Sequence, residues 1–391
     1  MKILLASDTY YPHVNGASYF TQRLAKSLHQ RGHTVLVIAP SRSTRTESFT
    51  RDNVQIYGVP TLPVTLHQNF RIASPVGLKK IRKIVKEFQP DIVHIQGHFP
   101  ICRRISRLAR EFSIPIVATN HFMPENLIPY FPLPRPIQEL LKKWAWQDFR
   151  RIFKYTDMIT TPTLTAAQLL AHVGLVQKIE ALSCGIDTNI FHPHHDGNYL
   201  KKKYHIPSKP VLLYVGRLDK EKHINIVLKA LSLISVKNRP HFIIAGQGTE
   251  RDHLQKIISG LHLESDITFT GFVSDEDLPA LYCAVDCFII AGIAELQSLV
   301  TMEAMASGLP VIAVNAVALP ELVHHEKNGY LFSLEDHKQL AKYINEIMSN
   351  VLLRKKMSGA SLEIIKKHSS NLIIKRYEDL YREVIKKHLP V

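Results

Sequence analysis

The sequence is poor in cysteine and tryptophan, in acidic relative to basic residues, and in long apolar runs. Its four cysteines, Cys102, Cys184, Cys283 and Cys287, show no Cys-x-x-Cys pair and no metal-ligand spacing, which argues against a disulfide framework or a zinc module. Cys283 and Cys287 stand one helical turn apart, where core packing is the ordinary explanation. Low cysteine use fits a reducing cytosol. The best apolar stretch, around Cys283 to Ile293, is interrupted by Asp286, and nothing approaches the roughly 18 uncharged apolar residues of a membrane span. Met1-Lys2-Ile3-Leu4-Leu5-Ala6 opens like a signal peptide but stops at Ser7-Asp8. That is short of the roughly 7–15 apolar residues such a segment needs, so it reads as a first strand. A cytoplasmic chain that does not span a membrane is expected.

What is present is a globular composition, 45% apolar and 21% charged, over 391 residues, which suits two domains of roughly 180 residues each. The net charge of +15 calls for nucleic acid, an anionic membrane surface or a phosphorylated ligand, and does not choose among them. Basic residues gather in the first half at Lys79-Lys80-Ile81-Arg82-Lys83, at Arg103-Arg104 to Arg110, and from Pro132 to Lys154.

Short apolar runs alternate with amphipathic stretches along the whole chain. Strands are expected at Lys2–Ser7, Thr34–Ala39, Val54–Val59, Ile92–Ile95, Ile116–Thr119 and Met158–Thr161. A second series follows at Val211–Val215, His241–Ala245, Ile267–Thr270, Cys287–Ala291 and Pro310–Val314. The pattern implies βαβ units, and runs apolar throughout suit parallel strands buried on both faces. The polar segment His192–Asn198 reads as a linker, with a boundary near residue 190. An α/β architecture of two Rossmann-like domains facing across a cleft follows, with chemistry at the carboxyl ends of the strands.

Ala294 to Pro310 holds the sharpest anomaly. Ser298 is a plausible N-cap and Gly308 a stop, so Leu299–Ser307 is a short helix, apolar except for Glu303. A carboxylate there needs a dedicated hydrogen-bond partner, and a sugar diol offers two hydroxyl donors. Glu295 precedes the helix N-terminus, a place that favours phosphate. A core salt bridge for Glu303 and a solvated loop for Glu295 explain the spacing equally well. After the first strand, Gly16 would let a diphosphate approach a helix start, or simply make a turn. Arg217 and Lys222, after the first strand of the second half, could clamp a diphosphate or face solvent. His121 ends another strand, where it could bond a sugar hydroxyl or serve structure.

All these residues lie at strand ends of opposing halves, and together they resemble the family-4 retaining glycosyltransferases of GT-B fold. The resemblance is carried by Asp8-Thr9-Tyr10-Tyr11-Pro12 with Asn15-Gly16, Asp91-Ile92-Val93-His94, Thr119-Asn120-His121, and Gly185-Ile186-Asp187 with Phe191 and Pro193. It continues through Gly216-Arg217-Leu218 with Lys222, Gly246-Gln247-Gly248, Gly271-Phe272, the Glu295/Glu303 pair and Pro320-Glu321-Leu322-Val323. It implies an N-terminal acceptor domain over 1–190, a nucleotide-sugar domain over 191–370, and a last helix over 371–391 crossing back to the first. Glu303 would hold the donor ribose and Glu295 the transferred sugar, with Ser298 and Leu299 beside them. Arg217 and Lys222 would bind the diphosphate, approached by the Gly16 loop, and the backbone near Phe272 would meet the base. His121 would contact the sugar near the reacting carbon. Asp8, Tyr10, Asn15 and His98 would lie on the acceptor side. Ser298, Cys184 and Val317-Ala318-Leu319 depart from the family's usual residues and put donor-sugar preference in doubt.

The same resemblance implies retaining transfer of a hexose from a UDP- or GDP-sugar. No Asp-x-Asp stands where a sugar-nucleotide metal is expected, and Arg217, Lys222 and a helix N-terminus can neutralise the leaving diphosphate without an obligatory metal. For the acceptor, the segment from Pro132 to Lys154 holds both tryptophans. Its Lys142, Lys143, Trp144, Trp146, Arg150 and Arg151 suit a helix lying in an anionic bilayer surface, although a core helix with a solvated basic face has the same composition. The basic first domain is shared with diacylglycerol and phosphatidylinositol glycosyltransferases of this family, which points to a membrane lipid and a peripheral location on the cytoplasmic membrane face. A sugar-nucleotide 2-epimerase of the same fold, or a basic nucleic-acid-binding protein, are the competing readings. The first does not call for a basic acceptor domain, and the second leaves the glutamate pair unexplained.

Overall fold

A computed structural model describes residues 1–11, 15–63, 71–124 and 133–388 of the chain. Pro12, His13, Val14 and Pro132, parts of the motifs above, lie outside the described residues. The chain divides into two compact units, Met1–Cys184 with Ile373–Val391, and Gly185–Leu372.

The first unit runs β1 (Lys2–Ala6), α1 (Gly16–Gln30), β2 (Thr34–Pro40), β3 (Glu47–Arg51), β4 (Val54–Val59), β5 (Thr61–Pro63), β6 (Arg71–Ala73), α2 (Pro75–Phe88), β7 (Ile92–Ile95), α3 (Pro100–Glu111), β8 (Ile116–Thr119), α4 (Arg135–Phe153), β9 (Met158–Thr161), α5 (Leu164–His172) and β10 (Ile179–Ala181). Its main sheet has the order β10-β9-β8-β7-β1-β2-β4-β3, parallel except for the β3–β4 pair. Strands β7, β8 and β9 are buried along their whole length, because both faces carry helices.

The second unit contains α6 (Asn198–Lys203), β11 (Val211–Val215), α7 (Ile224–Ser232), β12 (His241–Ala245), α8 (Arg251–Gly260), β13 (Ile267–Gly271), α9 (Leu278–Cys283), β14 (Cys287–Ile290), α10 (Leu299–Ala306), β15 (Val311–Val314), β16 (Gly329–Phe332), α11 (His337–Ser349) and α12 (Val351–Ile365). Its sheet is all parallel, in the order β13-β12-β11-β14-β15-β16. The last helix, α13 (Ser370–His388), packs into the core of the first unit through Tyr377 and Tyr381.

Polar groups fix α13 where apolar packing alone would let it slide. His94 on β7 bonds the Tyr381 hydroxyl at 2.7 Å through Nδ1 and Thr119 Oγ1 at 2.6 Å through Nε2. Burial pushes its pKa down to about 3, with His121 adding to the shift. Glu378 takes Arg31 and His33, each at 2.8 Å, and Arg376 grips Glu180 through two bonds of 2.6 Å.

Two expectations are corrected. Cys283 ends α9 while Cys287 opens β14, so they share no helix; Cys287 is core and the Cys283 thiol donates to the carbonyl of His192. Trp146 does not face outward with Trp144: it packs against Phe122 and Phe149 at the core of the first unit. Helix geometry sets them apart, since residues two positions apart point in widely different directions.

Candidate active site

In each sheet the strand order reverses beside the first strand, and the loops leaving the two strands at that point form the crevice where ligands bind in such sheets. In the second unit those strands are β11 and β14. The loop after β11 carries Arg217 and Lys222, and the loop after β14 carries Glu295. Lys222 Nζ bonds Glu295 Oε1 at 2.7 Å, so the two loops are tied by charge across the crevice. Arg217 pairs with Asp219 and, through Nη2, with Glu221 at 2.9 Å; Glu221 also stands 3.7 Å from Lys222. Burial works against the Lys222 ammonium, but Glu295 and Glu221 outweigh it and hold its pKa above the ordinary lysine value.

Close backbone approach makes room for this cluster. Gly216 has φ +149°, and a Cβ on Gly246 would lie 1.8 Å from the carbonyl oxygen of Gly216, so neither position accepts a side chain. Ser298 caps α10 as expected, accepting from Thr301 N. The short α10 places Glu303 in the interior, 5% exposed, where the Tyr282 hydroxyl donates to it at 3.1 Å. Leu299 opens the helix, and Phe272, which follows Gly271, is more than half exposed. At Ile293 the loop after β14 borders a cavity of about 650 Å³ that reaches Asn315, His325 and Tyr343.

In the first unit the corresponding strands are β1 and β7. Asp8, after β1, accepts from the backbone N–H of Ile101 at 2.8 Å and of Cys102 at 3.3 Å, and so holds the start of α3. Burial raises its pKa. Asn15 caps α1 by accepting from Ser18 N at 2.9 Å, which sets Gly16 at the helix start. Tyr10 is 3% exposed in the core, where burial pushes its hydroxyl up to about 12, so its ring offers no surface to an acceptor.

His98, after β7, is buried among Phe99, Phe122 and Phe149, with Nε2 4.0 Å from Asp148. Burial lowers its pKa to about 4, and its Nδ1 has no partner among the described residues. His121, after β8, donates from Nε2 to Gln96 Oε1 at 2.9 Å, and burial lowers its pKa to about 4 as well. Among the described residues no group of three or more His, Cys, Asp or Glu side chains is set to hold a metal ion.

The structure thus joins Arg217 to Lys222 through Glu221 and Lys222 to Glu295 directly, and carries Phe272, Ser298, Leu299 and Glu303 on the same unit, while Asp8, Tyr10, Asn15, Gly16, His98 and His121 belong to the other unit. Sequence reasoning missed Asp219, Glu221, Tyr282 and Gln96. Glu221 sits in a charged run beside Lys222 and could have been suspected. Tyr282 and Gln96 reach their partners only through the fold and carry no local signal.

Two family models match in succession, the glycosyltransferase family 4 model over residues 14–190 and the glycosyl transferases group 1 model over 198–363. The alpha-monoglucosyldiacylglycerol synthase of Streptococcus pneumoniae is 27% identical, covering 85% of this chain and 75% of its own. A GDP-mannose-dependent alpha-mannosyltransferase of Corynebacterium glutamicum is 26% identical over 98% of this chain and 89% of its own. Among solved structures, sucrose-phosphate synthase from Thermosynechococcus elongatus superposes with a TM-score of 0.82 at 19% identity, covering 99% of both chains. Anabaena HepE in complex with UDP-glucose gives 0.79 at 19% identity, covering 98% of this chain and all of the other. Two units of α/β architecture, charged loops at their switch points and both family models in register make this chain a glycosyltransferase of GT-B fold belonging to glycosyltransferase family 4.

Proposed function

We propose that the protein moves a hexose from a UDP- or GDP-sugar to a hydroxyl of a membrane lipid, with retention at the anomeric carbon. The observation that carries the donor half is the Arg217–Glu221–Lys222–Glu295 cluster at the switch point of the second unit. In this reading the diphosphate takes over Arg217 and Lys222, and Glu295, released from Lys222, accepts hydroxyls of the transferred sugar. Glu303 holds the ribose diol, and the exposed Phe272 region meets the base. His121 contacts a sugar hydroxyl.

The reaction is a front-face displacement. The bond from the anomeric carbon to the phosphate oxygen breaks, the acceptor oxygen bonds to the same face, and the acceptor proton passes to the leaving phosphate. Arg217 and Lys222 stabilise the charge that develops there. Neither glutamate acts as a covalent nucleophile.

The lipid half rests on α4 and on the relatives. Ile137, Leu140 and Trp144 are exposed on this helix, with Lys143, Arg150 and Arg151 exposed beside them. Apolar and basic groups together on one surface suit an anionic bilayer. Lys142 is half-buried and paired with Glu139 at 2.7 Å, so it contributes less. No helix among the described residues is long and apolar enough to cross a membrane. The relatives named as acting on lipid, such as the monoglucosyldiacylglycerol synthase, support the same direction.

The test is incubation with UDP-glucose or GDP-mannose and vesicles containing dioleoylglycerol and phosphatidylinositol, with and without added anionic lipid. Mass and proton NMR are expected to show an α-linked glycolipid whose formation falls about tenfold or more for Leu140→Ser with Trp144→Ser. A β-linked product, or a glycosyl-enzyme trapped on Glu295, would overturn retention by front-face attack. Product on a water-soluble acceptor alone would overturn the lipid assignment.

A further inference from the structure

Gln96 leaves β7 at its carboxyl end, and its backbone N–H is held by the carbonyl of Ala6 at 2.8 Å on β1. Its side chain is 5% exposed, so the carboxamide is fixed in place. Oε1 lies 2.9 Å from Nε2 of His121, which leaves the neighbouring strand β8. Phe20 from α1 packs against the His121 ring, with centroids 5.0 Å apart and the planes tilted by 53°. Strand, helix and carboxamide therefore hold the imidazole from separate directions.

A neutral imidazole carries one N–H, and a carboxamide oxygen can only accept, so the proton sits on Nε2 and the Nδ1 lone pair is left for another partner. Burial keeps His121 neutral across the working range, and its titratable neighbour His94 is neutral for the same reason. The Nε2 amide of Gln96 is itself buried and has no partner among the described residues. A buried donor left in that state is destabilising, so packing alone does not account for a glutamine at this position.

We infer that Gln96 is a positioning residue for glycosyl transfer, fixing the tautomer and orientation of His121 so that Nδ1 accepts a hydrogen bond from a hydroxyl of the transferred sugar. This rests on the reading that His121 touches that sugar. Without Gln96 no acceptor holds the proton on Nε2, and the tautomer with the proton on Nδ1, which cannot accept there, becomes accessible. A glutamate in its place keeps an acceptor facing Nε2 but adds a negative charge, which favours the imidazolium and raises the His121 pKa.

The experiment compares wild type with Gln96→Leu, Gln96→Glu, His121→Ala and the double variant Gln96→Leu/His121→Ala. The readout is nucleotide release from UDP-glucose or GDP-mannose, whichever is turned over, across pH 5 to 9, with thermal melts to check the fold. Gln96→Leu is expected to lower kcat roughly 10- to 100-fold at every pH. Gln96→Glu is expected to lose activity in acid and recover it in alkali, a pH limb that wild type lacks. The double variant is expected to be no worse than His121→Ala. Equal, pH-independent loss in both Gln96 variants, additive loss in the double variant, or a wild-type Gln96→Leu would each overturn the inference while leaving His121 in place. Wild-type kcat in His121→Ala would instead overturn the reading beneath it. If Gln96→Leu melts early, the pH limb of Gln96→Glu still decides.

Discussion

At Gly292 the loop after β14 runs so close to the donor cluster that a Cβ would stand 3.1 Å from Glu295 Oε1 and 3.3 Å from Lys222 Cδ. Both are side-chain atoms that can shift, and the backbone conformation there is one that other residues adopt. Gly292→Ala is therefore expected to leave the melting temperature within a few degrees of wild type but to displace the Lys222–Glu295 pair. A rise in donor KM, a fall in kcat, or both, amounting to about tenfold in kcat/KM, should appear in steady-state kinetics. Unchanged kinetics would mean that the pair does not meet the donor. Glu303 stood out in the sequence because a lone acid in an apolar helix is anomalous, and Glu295 because it precedes that helix's N-terminus. Their partners did not. Tyr282 meets Glu303 from the end of a different helix, and Gln96 meets His121 across two adjacent strands, so each contact exists only once the fold sets the register.

Among the elements, strands buried on both faces were read residue by residue: Ile92–Ile95, Ile116–Thr119, Met158–Thr161 and Val211–Val215 stand where the apolar runs place them. The edge strands of the first unit's sheet were not. Glu47–Arg51 at one edge of its sheet is half-exposed and polar, and Ile179–Ala181 at the other is three residues long, so neither shows an apolar run. The last helix makes its own prediction. Burial of the Glu378 carboxyl opposes its charge, but Arg31 and His33 hold its pKa below the ordinary 4.5. A carboxyl lowered in the folded state stabilises above its unfolded pKa, and that contribution is lost as pH falls through the folded value. Glu378→Gln should cost about 1–3 kcal/mol near neutral pH. The difference from wild type, measured by urea unfolding, should shrink as pH drops below about 4.5. A difference constant down to pH 3 would show that the carboxylate's charge is not what fastens α13.

For the whole molecule, the net charge of +15 does not require nucleic acid, because the proposed diphosphate site and the proposed membrane-facing surface of α4 would give it anionic partners. The α/β class and the alternation of strands and helices followed from periodicity. The division after Cys184 and the return of α13 to the first unit depend on long-range packing, which local pattern does not encode. The central claim is that the second unit holds the nucleotide-sugar through Glu303 and Lys222. Isothermal titration of UDP and GDP into the full chain tests it most directly, with Glu303→Gln, Glu303→Ala and Lys222→Gln alongside and melts to confirm folding. The account predicts one nucleotide bound per chain, with affinity reduced at least tenfold in each folded variant, as expected for loss of a hydrogen bond or ion pair to a charged group. No binding of either nucleotide to wild type, or wild-type affinity in the Glu303 variants, would contradict it.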